Sequence, residues 1–176
     1  MKNFLASNTT SYKGFASIYF FSILKNIIKI GNLEQRNIVI LDFGCGEKQL
    51  SKLLPNKKIL NYDIKKEFTD HEDYKNLNFD VVVLNHVLNY FEFSQIVNLF
   101  NSFKKINSEC EIIIGIPKVN WLSKLAKYIL FEFGAHKNFI TDYKTQIDII
   151  KKHTVLISEK KNIFFSTDIF YLKLIK

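Results

Sequence analysis

The stretch Ile38–Leu50 constrains the fold of this chain more than any other. Its first residues, Ile38–Leu41, are aliphatic and do not alternate with polar ones, which predicts a strand buried on both faces. Asp42 follows where this strand is predicted to end, and Gly44 and Gly46 then allow a tight turn against which a ligand can lie. A helix is predicted to begin just beyond, so that its first N–H groups point back at the turn. A strand, a glycine turn and a helix in this order are typical of a nucleotide-binding corner.

The residues of this corner distinguish between nucleotide classes. The dinucleotide fingerprint G-x-G-x-x-G/A requires a small third residue, but Gln49 occupies that position, and no G-x-x-x-x-G-K-[ST] phosphate loop occurs. The stretch instead resembles motif I of class I S-adenosylmethionine-dependent methyltransferases, in the form of hydrophobic residues followed by Leu-Asp-Phe-Gly-Cys-Gly. That family usually has a small residue where this chain has Lys48. A subgroup with Gly-Cys-Gly-x-Lys-x-Leu, common among small methyltransferases linked to cell-surface glycans and lipids, is very similar.

The resemblance implies an α/β fold with a Rossmann-like class I methyltransferase sheet, mostly parallel with an antiparallel C-terminal strand. We expect one methyltransferase domain over residues 1–176, since this length is typical of one domain. Residues 1–36 would form an N-terminal helical cover, with a helix over Ser17–Ile30, and residues 37–176 the cofactor-binding core. The segment Ile64–Phe79 is too short for a complete helix, strand and loop. We therefore expect its helix to be reduced to a turn and the third strand to be short or missing.

Local patterns predict the remaining elements. Pro55 should end the helix that follows the glycine turn, because proline disfavours helix at the residue before it. Ser94 and Thr141 are the predicted N-caps of two later helices. The predicted strands are Lys58–Tyr62, a strand after Phe79, Cys110–Ile116, Val155–Glu159 and Ile169–Ile175, and the predicted helices are Gln49–Leu54, Trp121–Phe133, one from Ser94 to Ile106 and one from Thr141 to Lys151.

An acidic residue is placed for ribose recognition. Asp63 ends the second predicted strand, 63 − 44 = 19 positions after Gly44, and a carboxylate there can accept hydrogen bonds from two ribose hydroxyls. Asp42 would order the glycine turn or a bound water, and Asp73, with Asp70 in reserve, would accept the adenine amino group. The cofactor-binding residues that the resemblance implies are Asp42, Gly44, Cys45, Gly46, Asp63, Ile64, Asp73 and Asn85.

Two histidines are candidates for proton transfer. Phe79 and Asp80, an apolar strand and the polar pair Asn85-His86 resemble the family's fourth strand, although the common continuation Val-Leu-Glu-His is absent. The segment from Gly134 to Thr141 resembles a Gly-x-His-x-x-Phe-x-Thr segment beside the family's acceptor site and contains His136. Neutral imidazole is a base near neutral pH, so His86 and His136 are the candidate catalytic residues. The alternative for each is a hydrogen-bonding residue without proton transfer.

The charge of the chain permits a nucleic-acid partner but does not favour one. The formal net charge is +8, yet Arg36 is the only arginine, and arginine is the usual residue for bidentate recognition of bases and phosphates. A solvated basic surface is the simpler interpretation, with a face for an anionic substrate as the alternative. No apolar run approaches the ~20 residues of a membrane span, and we expect no signal peptide. Cys45 and Cys110 are expected to be free thiols in a reducing cytoplasm, without a metal.

Three functional hypotheses remain open at this stage. The first is an enzyme that uses S-adenosyl-L-methionine to methylate a small molecule, a sugar or a lipid-linked acceptor. The second is a methyltransferase for RNA or protein, although the residues from Asn85 to Leu88 do not match the Asn-Pro-Pro-Tyr-like pattern of base methylation. The third is a non-catalytic cofactor-binding protein or partner subunit of the same fold. The oligomeric state is not predicted.

Overall fold

The computed structural model describes residues 14–118, 139–161 and 166–175. This part of the chain is built on one six-stranded sheet with helices on both of its faces. Its strands are β1 (Val39–Phe43), β2 (Lys58–Tyr62), β3 (Val81–Asn85), β4 (Glu111–Pro117), β5 (Thr154–Lys161) and β6 (Thr167–Leu174). Its helices are α1 (Gly14–Ile30), α2 (Gln49–Leu53), α3 (Phe93–Ile106) and α4 (Tyr143–His153), with short 3₁₀ turns at Tyr74–Asn76 and Leu88–Tyr90.

The order of the strands confirms the predicted architecture. The sheet runs β2-β1-β3-β4-β6-β5. Strands β2, β1, β3 and β4 are parallel, and β6 pairs antiparallel with both β4 and β5. The sheet is therefore mostly parallel with one reversed C-terminal strand, as the sequence predicts. The carboxyl ends of β1, β2 and β3 lie at the same end of the sheet, and ligands of open α/β sheets bind at this end.

The central strands are hydrophobic on both faces because both faces are covered. Val82 and Leu84 of β3 pack with α3 and α4, while Val81 and Val83 pack with α1 and α2. The uninterrupted aliphatic run Val81–Leu84 follows from this arrangement, since a strand between two helical layers has no solvent-facing side. Helix α1 contributes Ile23, Leu24 and Ile27 to its layer, all of them buried.

The segment Ile64–Phe79 is as reduced as its length predicts. In this part of the described chain, only the 3₁₀ turn Tyr74–Asn76 is regular, and no strand is present. The segment instead closes the outer edge of β2, where the N–H of Asp70 donates to the carbonyl of Asn61 at 3.0 Å. Loop contacts to Asn61 thus take the place of the missing third strand.

The two predicted helix caps are wrong by one or two residues. The N-cap of α3 is Glu92 rather than Ser94, and its backbone N–H donates to the Gln95 side chain at 2.8 Å. The N-cap of α4 is Asp142 rather than Thr141. Carboxylates cap helices as well as hydroxyls do. Glu92 precedes the predicted cap Ser94 by two residues, and Asp142 follows the predicted cap Thr141 by one.

Several expectations concern boundaries or residues beyond the described part. Strand β1 extends to Phe43, so Asp42 lies within the strand rather than after it. The predicted helix Trp121–Phe133 and His136 lie outside the described residues. The division into a cover over residues 1–36 and a core over 37–176 remains a prediction. Among the helices that the structure describes, none has the length and apolar character needed to cross a membrane.

Candidate cofactor and acceptor site

The glycine turn is a tight corner with an open side. Gly44 and Gly46 have φ values of +80° and +47°, a region that residues with a side chain rarely adopt. The N–H groups of Gly44 and Cys45 both donate to the carbonyl of Tyr62, at 2.7 and 3.2 Å, which ties the turn to the end of β2. A Cβ added at Gly46 would meet no atom within 4 Å. The backbone of Gly46 is therefore open to close approach by a ligand.

Asp63 is held beside this corner by two backbone hydrogen bonds. Its Oδ2 accepts from the N–H of Gly46 at 3.0 Å, and its Oδ1 accepts from the N–H of Lys65 at 2.9 Å. A carboxylate has about four acceptor positions, so both oxygens keep capacity for further donors. Ile64 follows as a 68% exposed aliphatic side chain, which leaves an apolar surface next to the carboxylate.

Asp42 adds a second acidic group to the corner. Its side chain is buried, and no hydrogen bond to it is present within the described part of the chain. Burial, and then the negative charge of Asp63, raises the pKa of Asp42 to about 7. Two carboxyl groups at one end of the sheet create a site whose potential favours a cationic ligand.

The Cys45 thiol is structural rather than reactive. It is free and buried, and it donates to the carbonyl of Phe68 at 3.4 Å. Burial, with the charges of Asp42 and Asp63, raises the pKa of this thiol, so it stays protonated at neutral pH. Cys110 is also free and buried. Within the described residues, no group of histidine, cysteine and acidic side chains is arranged to bind a metal ion.

Lys48 occupies a position that suits glycine. Its φ of 58° and ψ of 39° are left-handed, which explains why a small residue is usual here in the family that the motif resembles. Its ammonium group forms an ion pair with Asp70, and Asp70 also accepts from Nδ2 of Asn61 at 2.9 Å. The hydrogen bond from Lys48 holds the pKa of Asp70 below its usual range. Asp70 is thus held in an ion pair, whereas Asp73 forms none with any residue that the structure describes.

Asp73 caps the 3₁₀ turn that follows it. Its Oδ1 accepts from the N–H of Lys75 at 3.0 Å. The ring of the next residue, Tyr74, packs against the ring of Tyr62 with centroids 5.2 Å apart, so Asp73 lies near the end of β2. The placement is compatible with the expected role in adenine binding, which stays a prediction.

Asn85 and His86 lie at the carboxyl end of β3. The Oδ1 of Asn85 is buried and has no hydrogen-bond partner in the described chain. Gly115 is paired with Asn85 across the sheet, and a Cβ there would come within 2.7 Å of this oxygen. His86 has a φ of 58° and donates its N–H to the carbonyl of Gly115 at 2.9 Å. This left-handed residue turns the chain out of the sheet at the site.

A hydrogen-bonded network connects His86 to helix α1. Its Nε2 lies 3.0 Å from Oγ1 of Thr167, which lies 2.7 Å from the hydroxyl of Tyr19. Ser166 donates to the same Tyr19 hydroxyl at 3.1 Å, and Phe20 packs edge-on against the His86 ring. The sequence gives no indication of these contacts, since Tyr19 and Thr167 are 148 residues apart.

Further buried polar groups lie on the opposite face of the sheet. Asp168 receives hydrogen bonds from the Tyr143 hydroxyl and from the ammonium of Lys118, the latter at 2.6 Å. Burial and the hydrogen bond to Asp168 raise the pKa of Tyr143. Asn89 is 1% exposed, and neither polar atom of its side chain has a partner among the described residues. Gln146 has one such atom, Oε1. None of these buried polar residues belongs to a sequence pattern that predicts a site.

The single arginine is engaged far from the site. Arg36 forms an ion pair with Glu111 at 2.7 Å and donates to the Tyr171 hydroxyl at 2.9 Å. Glu111 begins β4, so this cluster lies at the opposite end of the sheet from the glycine corner. Arg36 therefore has a structural role here.

The fold of this chain is similar to those of several solved structures. No family model matches the chain, and no curated protein matches it. The PH0226 protein from Pyrococcus horikoshii OT3 is similar with a TM-score of 0.68 and 14% identity, over 96% of this chain and 94% of that one. The N-methyltransferase NodS from Bradyrhizobium japonicum WM9, in complex with S-adenosyl-L-homocysteine, is similar with a TM-score of 0.65 and 12% identity, over 90% and 88%.

A third structure extends the comparison to another methyltransferase. The magnesium protoporphyrin IX methyltransferase ChlM from Synechocystis PCC 6803, with bound S-adenosyl-L-homocysteine, is similar with a TM-score of 0.63 and 12% identity, over 93% and 89%. At these identities the likeness concerns the fold. Together with the strand order, it shows that the chain has the Rossmann-like fold of the class I S-adenosylmethionine-dependent methyltransferases.

Proposed function

We propose that the protein is an enzyme that transfers the methyl group of S-adenosyl-L-methionine to a small-molecule acceptor. The observation that carries this proposal is the contact between Gly46 and Asp63. This contact holds the Asp63 carboxylate 3.0 Å from an N–H of an open glycine turn, at the carboxyl end of the sheet, which supports a role in ribose binding. Solved structures of the same fold contain S-adenosyl-L-homocysteine, which supports the choice of cofactor.

The residues at the corner fit this cofactor. The free acceptor positions of Asp63 suit the two ribose hydroxyls, and exposed Ile64 offers an apolar contact for the adenine ring. The bare backbone at Gly46 admits close approach, and the unpartnered oxygen of Asn85 provides an acceptor for an ammonium group. Asp42 and Asp63 make the site suitable for a cation. S-adenosyl-L-methionine would supply an electrophilic methyl group on a sulfonium.

His86 is the residue best placed to act on the acceptor. It lies at the carboxyl end of β3, and its Nε2 shares a hydrogen bond with Thr167. If the acceptor is a hydroxyl or an ammonium group, it must lose a proton, and a neutral imidazole near it is a suitable base. Thr167 and Tyr19 fix the ring in one orientation. The second predicted base, His136, remains a proposal made from the sequence alone.

The acceptor class is inferred from two sources. Solved structures of similar fold include a magnesium protoporphyrin IX methyltransferase and N,N-8-amino-8-demethyl-D-riboflavin dimethyltransferase, whose names specify small-molecule acceptors. The resemblance of the glycine turn and of the His136 segment to glycan-associated methyltransferases favours a sugar or a lipid-linked acceptor. The only arginine is engaged with Glu111, which gives no support to an RNA substrate. A cytoplasmic location stays a prediction.

Calorimetric titration of the purified protein tests the proposal. We expect micromolar binding of S-adenosyl-L-methionine and S-adenosyl-L-homocysteine and no binding of NAD. Asp63→Asn should lose most of this affinity, whereas Asp148→Asn, an exposed position on α4, should retain it. Absence of binding by a folded protein would contradict the proposal.

A non-catalytic cofactor-binding protein is the second candidate. The ion pair of Lys48 with Asp70 and the missing third strand, both next to the cofactor corner, favour it. The two candidates differ in turnover. An enzyme would convert S-adenosyl-L-methionine into S-adenosyl-L-homocysteine, even slowly, when mixtures of acceptors are present. His86→Ala should lose this conversion.

A further inference from the structure

Strand β5 exposes aliphatic side chains at the edge of the sheet. Val155, Leu156 and Ile157 follow one another along the strand and are 58%, 52% and 49% exposed. Val155 and Leu156 point to opposite faces of the strand, so the apolar surface is present on both sides of this edge, and Ile157 lies at a bulge between Leu156 and Ser158. Ile175 is 42% exposed, and its N–H donates to the carbonyl of His153, which places it beside the start of β5. We call these four residues the apolar edge.

A cavity with cationic walls adjoins the apolar edge. It is partly open to solvent and has a volume of about 140 Å³, well above the roughly 10–15 Å³ that one water molecule needs on the same measure, so a phosphate group fits within it. Lys104 of α3 and Lys152 and His153 of α4 line it, together with Phe100, Asn101, Leu174 and Ile175. Neither lysine forms an ion pair with any residue that the structure describes. We call this the basic cavity.

The two features form one continuous surface. Ile175 belongs to both, and the chain passes directly from the cavity to the edge in the sequence Lys151-Lys152-His153-Thr154-Val155-Leu156-Ile157. Glu159 is the first acidic residue along β5 after the apolar edge. The combined surface therefore offers cations for an anionic group and, immediately beside them, aliphatic side chains for an apolar phase.

Charge and chemistry select between possible occupants. A second copy of the chain would bring another formal charge of +8 against this basic surface. A nucleic acid would satisfy the lysines but would leave three consecutive aliphatic residues uncovered, since single strands are bound largely by aromatic stacking. A bilayer with anionic headgroups satisfies both features, because basic side chains bind its headgroups while apolar ones enter the acyl boundary.

We propose that the apolar edge and the basic cavity together dock the protein on an anionic lipid surface, with a lipid phosphate in the cavity. This is peripheral binding, and it is independent of the proposed methyl transfer. The docking surface lies at the β5 side of the sheet, away from the glycine corner beside β2 and β1. The candidate cofactor site therefore stays open to solvent while the protein is on the membrane.

Vesicle co-sedimentation tests the proposal with no cofactor present. The full chain is mixed with vesicles of phosphatidylcholine alone or of phosphatidylcholine with phosphatidylglycerol. We expect binding to the anionic vesicles that weakens as salt is raised. The pair Lys104→Gln and Lys152→Gln should weaken it by roughly 25-fold, since each lysine near such a surface contributes about fivefold. The control pair Lys66→Gln and Lys144→Gln makes the same charge change at other exposed positions.

The apolar contribution has its own matched variants. Leu156→Thr with Ile157→Thr keeps β-propensity and should reduce vesicle binding at least tenfold. Ile18→Thr with Ile140→Thr changes two other exposed aliphatic residues and should leave it unchanged. Circular dichroism and thermal unfolding verify that each variant is folded.

Several outcomes would overturn the proposal. It is wrong if the wild-type protein does not bind anionic vesicles, or if the control pairs lose as much affinity as the test pairs. Light scattering could instead show a dimer that becomes monomeric in the double variant Leu156→Thr with Ile157→Thr. Such a dimer, in a protein that does not bind vesicles, would assign the surface to a second copy. If soluble polyglutamate binds as tightly as the anionic vesicles, and the threonine variants do not weaken that binding, the surface would be assigned to an acidic polypeptide.

Discussion

His86 and Thr167, 81 residues apart in the sequence, share a hydrogen bond of 3.0 Å between Nε2 and Oγ1. Thr167 is fully buried and also shares a 2.7 Å hydrogen bond with Tyr19 of α1. One hydroxyl therefore links the end of β3 to helix α1. The orientation of the candidate base thus depends on the packing of α1.

Thr167→Val should destabilise the protein by about 1–2 kcal/mol and release the His86 ring. Valine has the shape of threonine but cannot hydrogen-bond, and the lost bonds leave buried polar groups with fewer partners. Urea unfolding measures the first effect, and the ¹⁵N chemical shifts of the imidazole measure the change in tautomer population. Thr167→Ser keeps the hydroxyl and serves as the control. An unchanged tautomer population in Thr167→Val would show that this bond does not orient His86.

Lys48→Gly should be more stable than Lys48→Ala by about 1 kcal/mol. Both variants lose the ion pair with Asp70, which is partly exposed and contributes at most about 1 kcal/mol. Only glycine relieves the left-handed backbone at φ 58°, which costs other residues roughly 1–2 kcal/mol. Urea unfolding of both variants and the wild type measures the difference. Equal stability of the two variants would mean that the backbone at this position is not left-handed in solution.

The regular part of the fold is largely predictable because its patterns are local. The run Val81–Leu84 is aliphatic without alternation, which predicts a strand covered on both faces, and Lys58–Tyr62 is a strand over the predicted residues. The reduced segment Ile64–Phe79 follows from its length alone. The helix caps are less predictable, because Glu92 and Ser94, or Thr141 and Asp142, are all competent capping residues and only the geometry decides between them.

The candidate site is predictable only where its residues follow a motif. Asp63 lies within hydrogen-bond distance of Gly46, in agreement with the spacing between the glycine turn and the second strand. The partners of His86 follow no such spacing, because Tyr19 and Thr167 come from opposite ends of the chain. The engagement of Asp70 by Lys48 also requires knowledge of which loop covers the edge of β2. These contacts depend on tertiary packing, which a single sequence does not encode in any local pattern.

Asp42→Asn should stabilise the protein progressively as the pH rises from 5 to 8. Burial and the charge of Asp63 raise the pKa of Asp42 to about 7 in the folded state, against about 3.9 in an unfolded chain. Between these values the folded state binds more protons, so its stability falls with rising pH until about pH 7. The difference in unfolding free energy between variant and wild type should grow by about 3 kcal/mol over this range.

Urea unfolding at several pH values measures this difference. Asp148→Asn, which removes an exposed carboxyl on α4, is the matched control. A difference for Asp42→Asn that does not vary with pH would show that the Asp42 carboxyl ionises normally in the folded protein.

Gly44→Ala and Gly46→Ala should separate stability from ligand binding. At Gly44 a Cβ would lie 2.5 Å from Cγ2 of Val87, and φ is +80°, so we expect a loss of about 3 kcal/mol from overpacking and backbone strain. At Gly46 a Cβ meets no atom within 4 Å, so only the strain of roughly 1–2 kcal/mol applies. The new methyl group would nevertheless occupy the open side of the turn. Gly46→Ala should therefore remain folded and lose at least tenfold in affinity for S-adenosyl-L-homocysteine by calorimetry. Full affinity in folded Gly46→Ala would place the ligand elsewhere, whereas a Gly44→Ala protein as stable as the wild type would contradict the packing of Val87 against the turn.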